Sequence, residues 1–88
     1  MEAYRVPFRF DRSSSPRFRF INVGSETLTG VTLTLVGSGV MPITPMRTLQ
    51  PGDAYPVSLR GRDLERDTAL IIRWLRPNGE EYVWRVVF

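Results

Sequence analysis

The chain has 88 residues, 42% apolar and 24% charged, an ordinary globular composition of a size for one domain spanning 1–88. Cysteine and histidine are both absent, which excludes a disulfide frame, a thiolate metal centre and the usual imidazole acid–base group. All 12 basic residues are arginine, set against 9 acidic ones, and the resulting charge of +3 is too mild to demand a polyanionic partner. Arginine without lysine follows either from the codon usage of a GC-rich genome or from a need for bidentate carboxylate or phosphate contacts.

Hydrophobic residues recur with a period of two along almost the whole chain. At the start, Tyr4, Val6, Phe8 and Phe10 alternate with Arg5, Pro7 and Arg9, which predicts a strand over 4–10. "DRSSSP" follows as a polar connection. Phe18 and Phe20 then alternate with Arg17, Arg19 and Ile21, so the two Phe-Arg-Phe stretches read as neighbouring strands of one hairpin. Their rings face inward and their guanidinium groups face water. In "LTGVTLTLVG", Val31, Leu33 and Leu35 alternate with Thr32 and Thr34, as in a strand with one solvated face. Pro42 and Pro45 forbid a central strand in "SGVMPITPMRTL", leaving a crossing or a short edge strand. "LQPGDAY" spells a tight turn, with Pro51 fixing φ and Gly52 free to take a positive φ. Tyr55, Val57 and Leu59 then share one side of another strand.

"GRDLERD" has room for a single helical turn. The remainder, "TALIIRWLRPNGEEYVWRVVF", is a hairpin with turn chemistry at 76–79. Leu70, Ile72 and Trp74 share one parity, as do Tyr82, Trp84, Val86 and Phe88. Six strands and a short seventh predict an all-β fold, an immunoglobulin-like antiparallel β-sandwich of about seven strands. The first, second and fifth strands are expected in one sheet, and the third, sixth and seventh in the other.

"FRFINVGSETLTGVTLTLVG" and "LQPGDAYPVSL" resemble bacterial immunoglobulin-like domains of the cell-adhesion-related CARDB type and the fibronectin type III-like type. The likeness runs over about 16–88. It rests on an Asn-x-Gly loop at Asn22 and Gly24, a Leu-x-Pro-Gly turn at Leu49, Pro51 and Gly52, a Trp-bearing strand and a final hairpin. The resemblance implies a non-enzymatic binding or spacer module. Without a cysteine pair, the disulfide-pinned antibody type is excluded.

No combination of residues spells catalysis. The serines of "RSSSP" lack an identifiable base, so no enzyme activity is expected. Asp63, Glu65 and Asp67 alternate as in a Ca²⁺ loop, but an EF-hand's glycine and ligand spacing are missing, and Arg62 and Arg66 interleave. This stretch reads as a self-paired loop. "VGSGV" lacks the lysine and helix of a P-loop. Neither metal nor cofactor is expected. Arg5, Arg9, Arg17 and Arg19 form a basic stripe, yet the rings beside them have the opposite parity and cannot stack on bases. Nucleic acid is therefore not the expected partner, and an arginine-dependent nucleic-acid binder stays an alternative.

The sharpest candidate is the outward parity of the last hairpin: Ile71, Arg73 and Leu75 on one strand, Val83, Arg85 and Val87 on the next. Aliphatics framing two arginines are unusual on a solvated sheet and suit an interface. The competing explanation is that the segment 37–49 folds over this face. The expected function is a non-catalytic protein-interaction module that binds a protein partner or forms a homodimer through this face or edge. A small structural component of a virion or surface assembly is the other alternative. "TALIIRWL" is interrupted by Arg73 and falls short of the roughly 20 residues that span a bilayer, so no membrane partner is expected. "MEAYRVPFRF" lacks a signal-peptide apolar stretch. A cytoplasmic location is expected if Met1 is the native start.

Overall fold

The computed structural model describes residues 3–61 and 64–88. Its seven strands are β1 (Phe8–Ser14), β2 (Arg17–Asn22), β3 (Leu28–Gly37), β4 (Arg47–Leu49), β5 (Ala54–Ser58), β6 (Thr68–Leu75) and β7 (Glu81–Val87), with one helical turn, α1 (Leu64–Asp67), before β6. They form a three-stranded sheet, β1-β2-β5, packed on a four-stranded sheet, β4-β3-β6-β7. All pairings are antiparallel. The fold is an all-β, immunoglobulin-like sandwich; the sheet membership of the six longer strands is the one read from the sequence, and β4 adds an edge to the second sheet. Of the acidic stretch around α1, Arg62 and Asp63 lie outside the described residues.

Alternation sorts the two faces of each sheet. Phe18, Phe20, Tyr55 and Val57 from one sheet meet Val31, Leu33, Leu70, Ile72 and Trp74 from the other, all buried. Rings meet edge to face, as their quadrupoles favour: Phe8 and Trp74 at 5.1 Å, Phe20 and Trp84 at 6.3 Å. Each fully buried apolar side chain contributes about 1.5–3 kcal/mol.

The first strand differs from the expected 4–10. It begins at Phe8 and runs through the polar "DRSS" to Ser14. Segment 3–7 instead crosses toward the other sheet, where the Trp74 indole N–H donates to the Tyr4 hydroxyl at 2.8 Å and the Tyr4 and Tyr82 rings lie 4.4 Å apart. Polar "DRSS" stays in the ladder because the pairing with β2 shifts register between Asp11 and Ser14. A bulge there lets Asp11 accept from the Ser13 N–H at 2.9 Å and the Ser13 hydroxyl at 2.6 Å. The connection shrinks to Ser15 and Pro16.

The expected turns form. The Asp53 N–H donates to the Gln50 carbonyl at 2.9 Å, closing the turn in which Gly52 has φ +88°. At the hairpin tip the Gly79 N–H donates to the Arg76 carbonyl and the Arg76 N–H to the Glu80 carbonyl, both at 2.9 Å.

Candidate interaction surface

β6 pairs with β7 so that Ile71 lies opposite Arg85, Arg73 opposite Val83, Leu75 opposite Glu81 and Ala69 opposite Val87. β3 continues the rows on the other side of β6, with Val36 opposite Ala69, Thr34 opposite Ile71 and Thr32 opposite Arg73. All six candidate residues therefore share the outer face of the four-stranded sheet. Their exposure is uneven. Val83 and Val87 are 55% and 58% accessible, and Val36, across Ala69 from Val87, 41%. Arg73 and Arg85 are exposed, whereas Ile71 and Leu75 are half-buried. Leu75 is partly covered because it lies over Gly30 in the β3 bulge: a Cβ on Gly30 would sit 3.3 Å from Leu75 Cδ1.

The charges on this face are incompletely matched. Arg73 Nε lies 3.0 Å from Glu81 Oε1, with both side chains more than half exposed, so the pair is worth less than about 1 kcal/mol. Arg85 has no acidic partner within salt-bridge distance among the described residues.

The segment 37–49 does not fold over this face. Val40 and Arg60 exchange backbone hydrogen bonds at 2.7 and 3.0 Å, and the Tyr55 hydroxyl donates to the Pro45 carbonyl. These bonds hold the segment on the β4–β5 side of the sandwich. Among the described residues, nothing covers the valines of the hairpin face.

The opposite sheet carries a shorter basic stripe than expected: Arg9, Arg17 and Arg19 lie on it, whereas Arg5 precedes β1 in segment 3–7 and is not part of the sheet. All four arginines are exposed, and Phe8, Phe18 and Phe20 are buried. Arg19 is committed to Asp11 through Nη2 at 2.6 Å and Nε at 3.1 Å. The Ser13 hydroxyl, then the Arg19 guanidinium, then the Ser13 N–H hold the Asp11 carboxyl below the usual carboxylate range.

Two grooves lie outside the hairpin face. One, of about 860 Å³, runs between β5 and residues 42–45, where the Arg47 guanidinium lies 4.7 Å from the Tyr55 ring centroid. Ile43, at its rim, is fully exposed. The other, of about 750 Å³, is bounded by segment 3–7, residues 23–26 and Arg76. Arg76 grips Glu26 through Nε at 3.0 Å and Nη2 at 3.1 Å and lies 4.2 Å from the Tyr4 ring centroid. Its hydrogen bonds with Glu26 raise its pKa above the ordinary arginine value. Sequence reading missed both hubs. The Arg76–Glu26 pair spans 50 residues of sequence, and segment 40–46 has no period from which a side could be read.

No protein-family model, curated protein or solved structure matches the chain.

Proposed function

We propose that the chain is a non-catalytic protein-interaction module, of the cell-adhesion-related or fibronectin type III-like kind its turns resemble, that self-associates through the outer face or free edge of the β6–β7 hairpin. One observation carries the reading. Val83 and Val87, each more than half exposed, lie beside Ile71 and the guanidinium groups of Arg73 and Arg85 on a sheet face that no other segment among the described residues covers. Three of the eight exposed large apolar side chains among the described residues, Val36, Val83 and Val87, share this one face, apolar surface that a partner can remove from water. Arginine supplies the polar component that interfaces favour.

Light scattering over a concentration series tests the proposal. The unmodified chain is expected to show a mass above the monomer's that rises with concentration. Val87→Glu and Ile71→Glu are expected to return it to monomer without loss of β-sheet circular dichroism. A strict monomer at high concentration, unaltered by either substitution, removes self-association as the function.

A further inference from the structure

The terminal hairpin fixes which backbone groups of β7 face solvent. Because the Arg76 N–H donates to the Glu80 carbonyl, Arg76 and Glu80 are a hydrogen-bonded pair. Antiparallel ladders alternate such pairs with unbonded ones. Trp74–Tyr82, Ile72–Trp84 and Leu70–Val86 are therefore the bonded pairs that follow. Tyr82, Trp84 and Val86 thus commit their backbone groups to β6. Glu81, Val83 and Arg85 point theirs away from it, and β7 is the last strand of its sheet. Val87 obeys the same alternation, since its outward carbonyl accepts from Arg12 Nη2 at 2.7 Å. Among the described residues, no backbone group bonds to the outward groups of Glu81, Val83 or Arg85.

We propose that this edge pairs with the same edge of a second copy, antiparallel about a two-fold axis at Val83, so that Glu81 of each copy faces Arg85 of the other. The inference rests on reading the hairpin as a self-association surface, and adds the mode and the register. Three facts select this register. Only residues of odd number offer free backbone groups, so allowed pairings match odd with odd. With the axis at Val83, the pairs Val83–Val83 and the two Glu81–Arg85 pairs supply about six interchain hydrogen bonds. Opposite charges directly across an antiparallel pair stabilise it, and like charges destabilise it.

Arg85, unmatched in the monomer, gains a carboxylate. Glu81, 3.0 Å from Arg73, becomes the centre of an Arg73–Glu81–Arg85 chain of charges. On the inner side Tyr82 comes opposite Trp84 of the other copy, and both rings are only half-buried in the monomer. Moving the axis to Trp84 would set Glu81 against Val87, whose carbonyl Arg12 already occupies. Moving it to Arg85 would set arginine against arginine. The Val83 register leaves the Arg12 bond intact and joins the two four-stranded sheets into one. It also closes an edge that would otherwise invite promiscuous pairing.

A charge-complementation experiment reads the register directly. Arg85→Glu makes both facing positions acidic, and Glu81→Arg makes both basic. By sedimentation velocity from ~10 μM to ~1 mM, a range suited to a modest interface, the unmodified chain is expected to dimerise. Each single variant is expected to bind itself roughly tenfold or more weakly. An equimolar mixture of the two is expected to recover the affinity of the unmodified chain as a heterodimer, because both seams are then oppositely charged. Both substitutions fall on exposed side chains, and circular dichroism checks that each variant is folded. Single variants that dimerise as tightly as the unmodified chain, with no gain on mixing, overturn the edge register. If Val87→Glu or Ile71→Glu still disperses such dimers, association through the face stands without it. A strict monomer at ~1 mM overturns both.

Discussion

Asn22 shows how much one buried polar side chain can organise. Fully buried, it donates from Nδ2 to the Glu26 carbonyl at 2.9 Å and the Leu49 carbonyl at 3.1 Å, and accepts from the Gly24 N–H at 3.0 Å. It ties the end of β2 to the loop that leaves it and to β4 of the other sheet. This is a physical reason for an Asn-x-Gly at that point. Asn22→Ala removes three bonds and strands two carbonyls and the Gly24 N–H, so a loss of about 3 kcal/mol is expected, read from the urea midpoint. Asn22→Asp keeps the shape but reverses the polarity needed at Nδ2, and is expected to destabilise at least as much at neutral pH. An aspartate variant as stable as the parent would show that those carbonyls find other donors. Asp11 makes stability depend on pH. Its folded pKa lies below its unfolded one, so its contribution is fully present above about pH 4. That contribution fades as pH falls toward the folded value. Asp11→Asn is expected to flatten the acid limb of a stability–pH curve below about pH 4 and to change its shape little near neutrality. An unchanged acid limb would mean that the Ser13 and Arg19 bonds do not persist in solution.

Elements are set by where the backbone can bend, and two glycines make the point by contrast. Gly52 has φ +88° with nothing near its missing Cβ, whereas Gly37 has φ +90° and a Cβ there would lie 1.7 Å from the Asp67 carbonyl oxygen. Gly52→Ala is expected to cost about 1 kcal/mol from the left-handed conformation alone. Gly37→Ala adds a clash with backbone at the junction of β3, α1 and β6, where the Ser38 hydroxyl donates to Asp67 at 2.6 Å and the Thr68 hydroxyl to the Ser38 carbonyl at 2.6 Å. It is expected to lower the thermal midpoint well beyond the Gly52 variant; equal effects would mean that the junction yields freely. Gly52 could be read from its Pro-Gly turn; Gly37 could not, because its constraint comes from a residue 30 positions away. The same division runs through the fold. Period two over Phe18–Phe20, Val31–Leu35 and Leu70–Trp74 reports local geometry, so the strands, their faces and the six hairpin residues were legible. Segment 3–7 misled, because its alternation continues across Pro7 while Tyr4 is drawn to Trp74 and Tyr82 of the other sheet. The outward placement of the hairpin residues was readable by parity, but that segment 40–46 leaves them bare depends on long-range bonds to Arg60 and Tyr55 that no short pattern encodes.

At the scale of the molecule, the sandwich has two open sides, and each is closed by an arginine on an aromatic. Arg47 covers Tyr55 on the β4–β5 side. Arg12 lies 5.1 Å from the Phe10 ring centroid and 5.7 Å from that of Phe88 on the β1–β7 side. Cation–π contacts of this kind contribute about 0.5–1 kcal/mol at exposed sites. Part of the arginine excess is thus structural: Arg12, Arg19, Arg47 and Arg76 each have a ring or carboxylate partner within the chain. With Arg19 held by Asp11, Arg9 and Arg17 on the sheet and Arg5 in the adjoining segment 3–7 remain to meet phosphate, and Phe8, Phe18 and Phe20 are buried and unavailable for stacking. About three phosphate contacts on single-stranded nucleic acid would give a log–log salt slope near −2. Even a weak complex at ~50 mM salt would then lose about 20-fold in affinity by ~200 mM. Fluorescence anisotropy of a labelled oligonucleotide is expected to show no saturable binding at either salt concentration. Saturable binding that weakens with that slope, and that Arg9→Ala or Arg17→Ala makes shallower, would instead assign the three-stranded sheet a nucleic-acid partner and leave the β6–β7 face to a separate role.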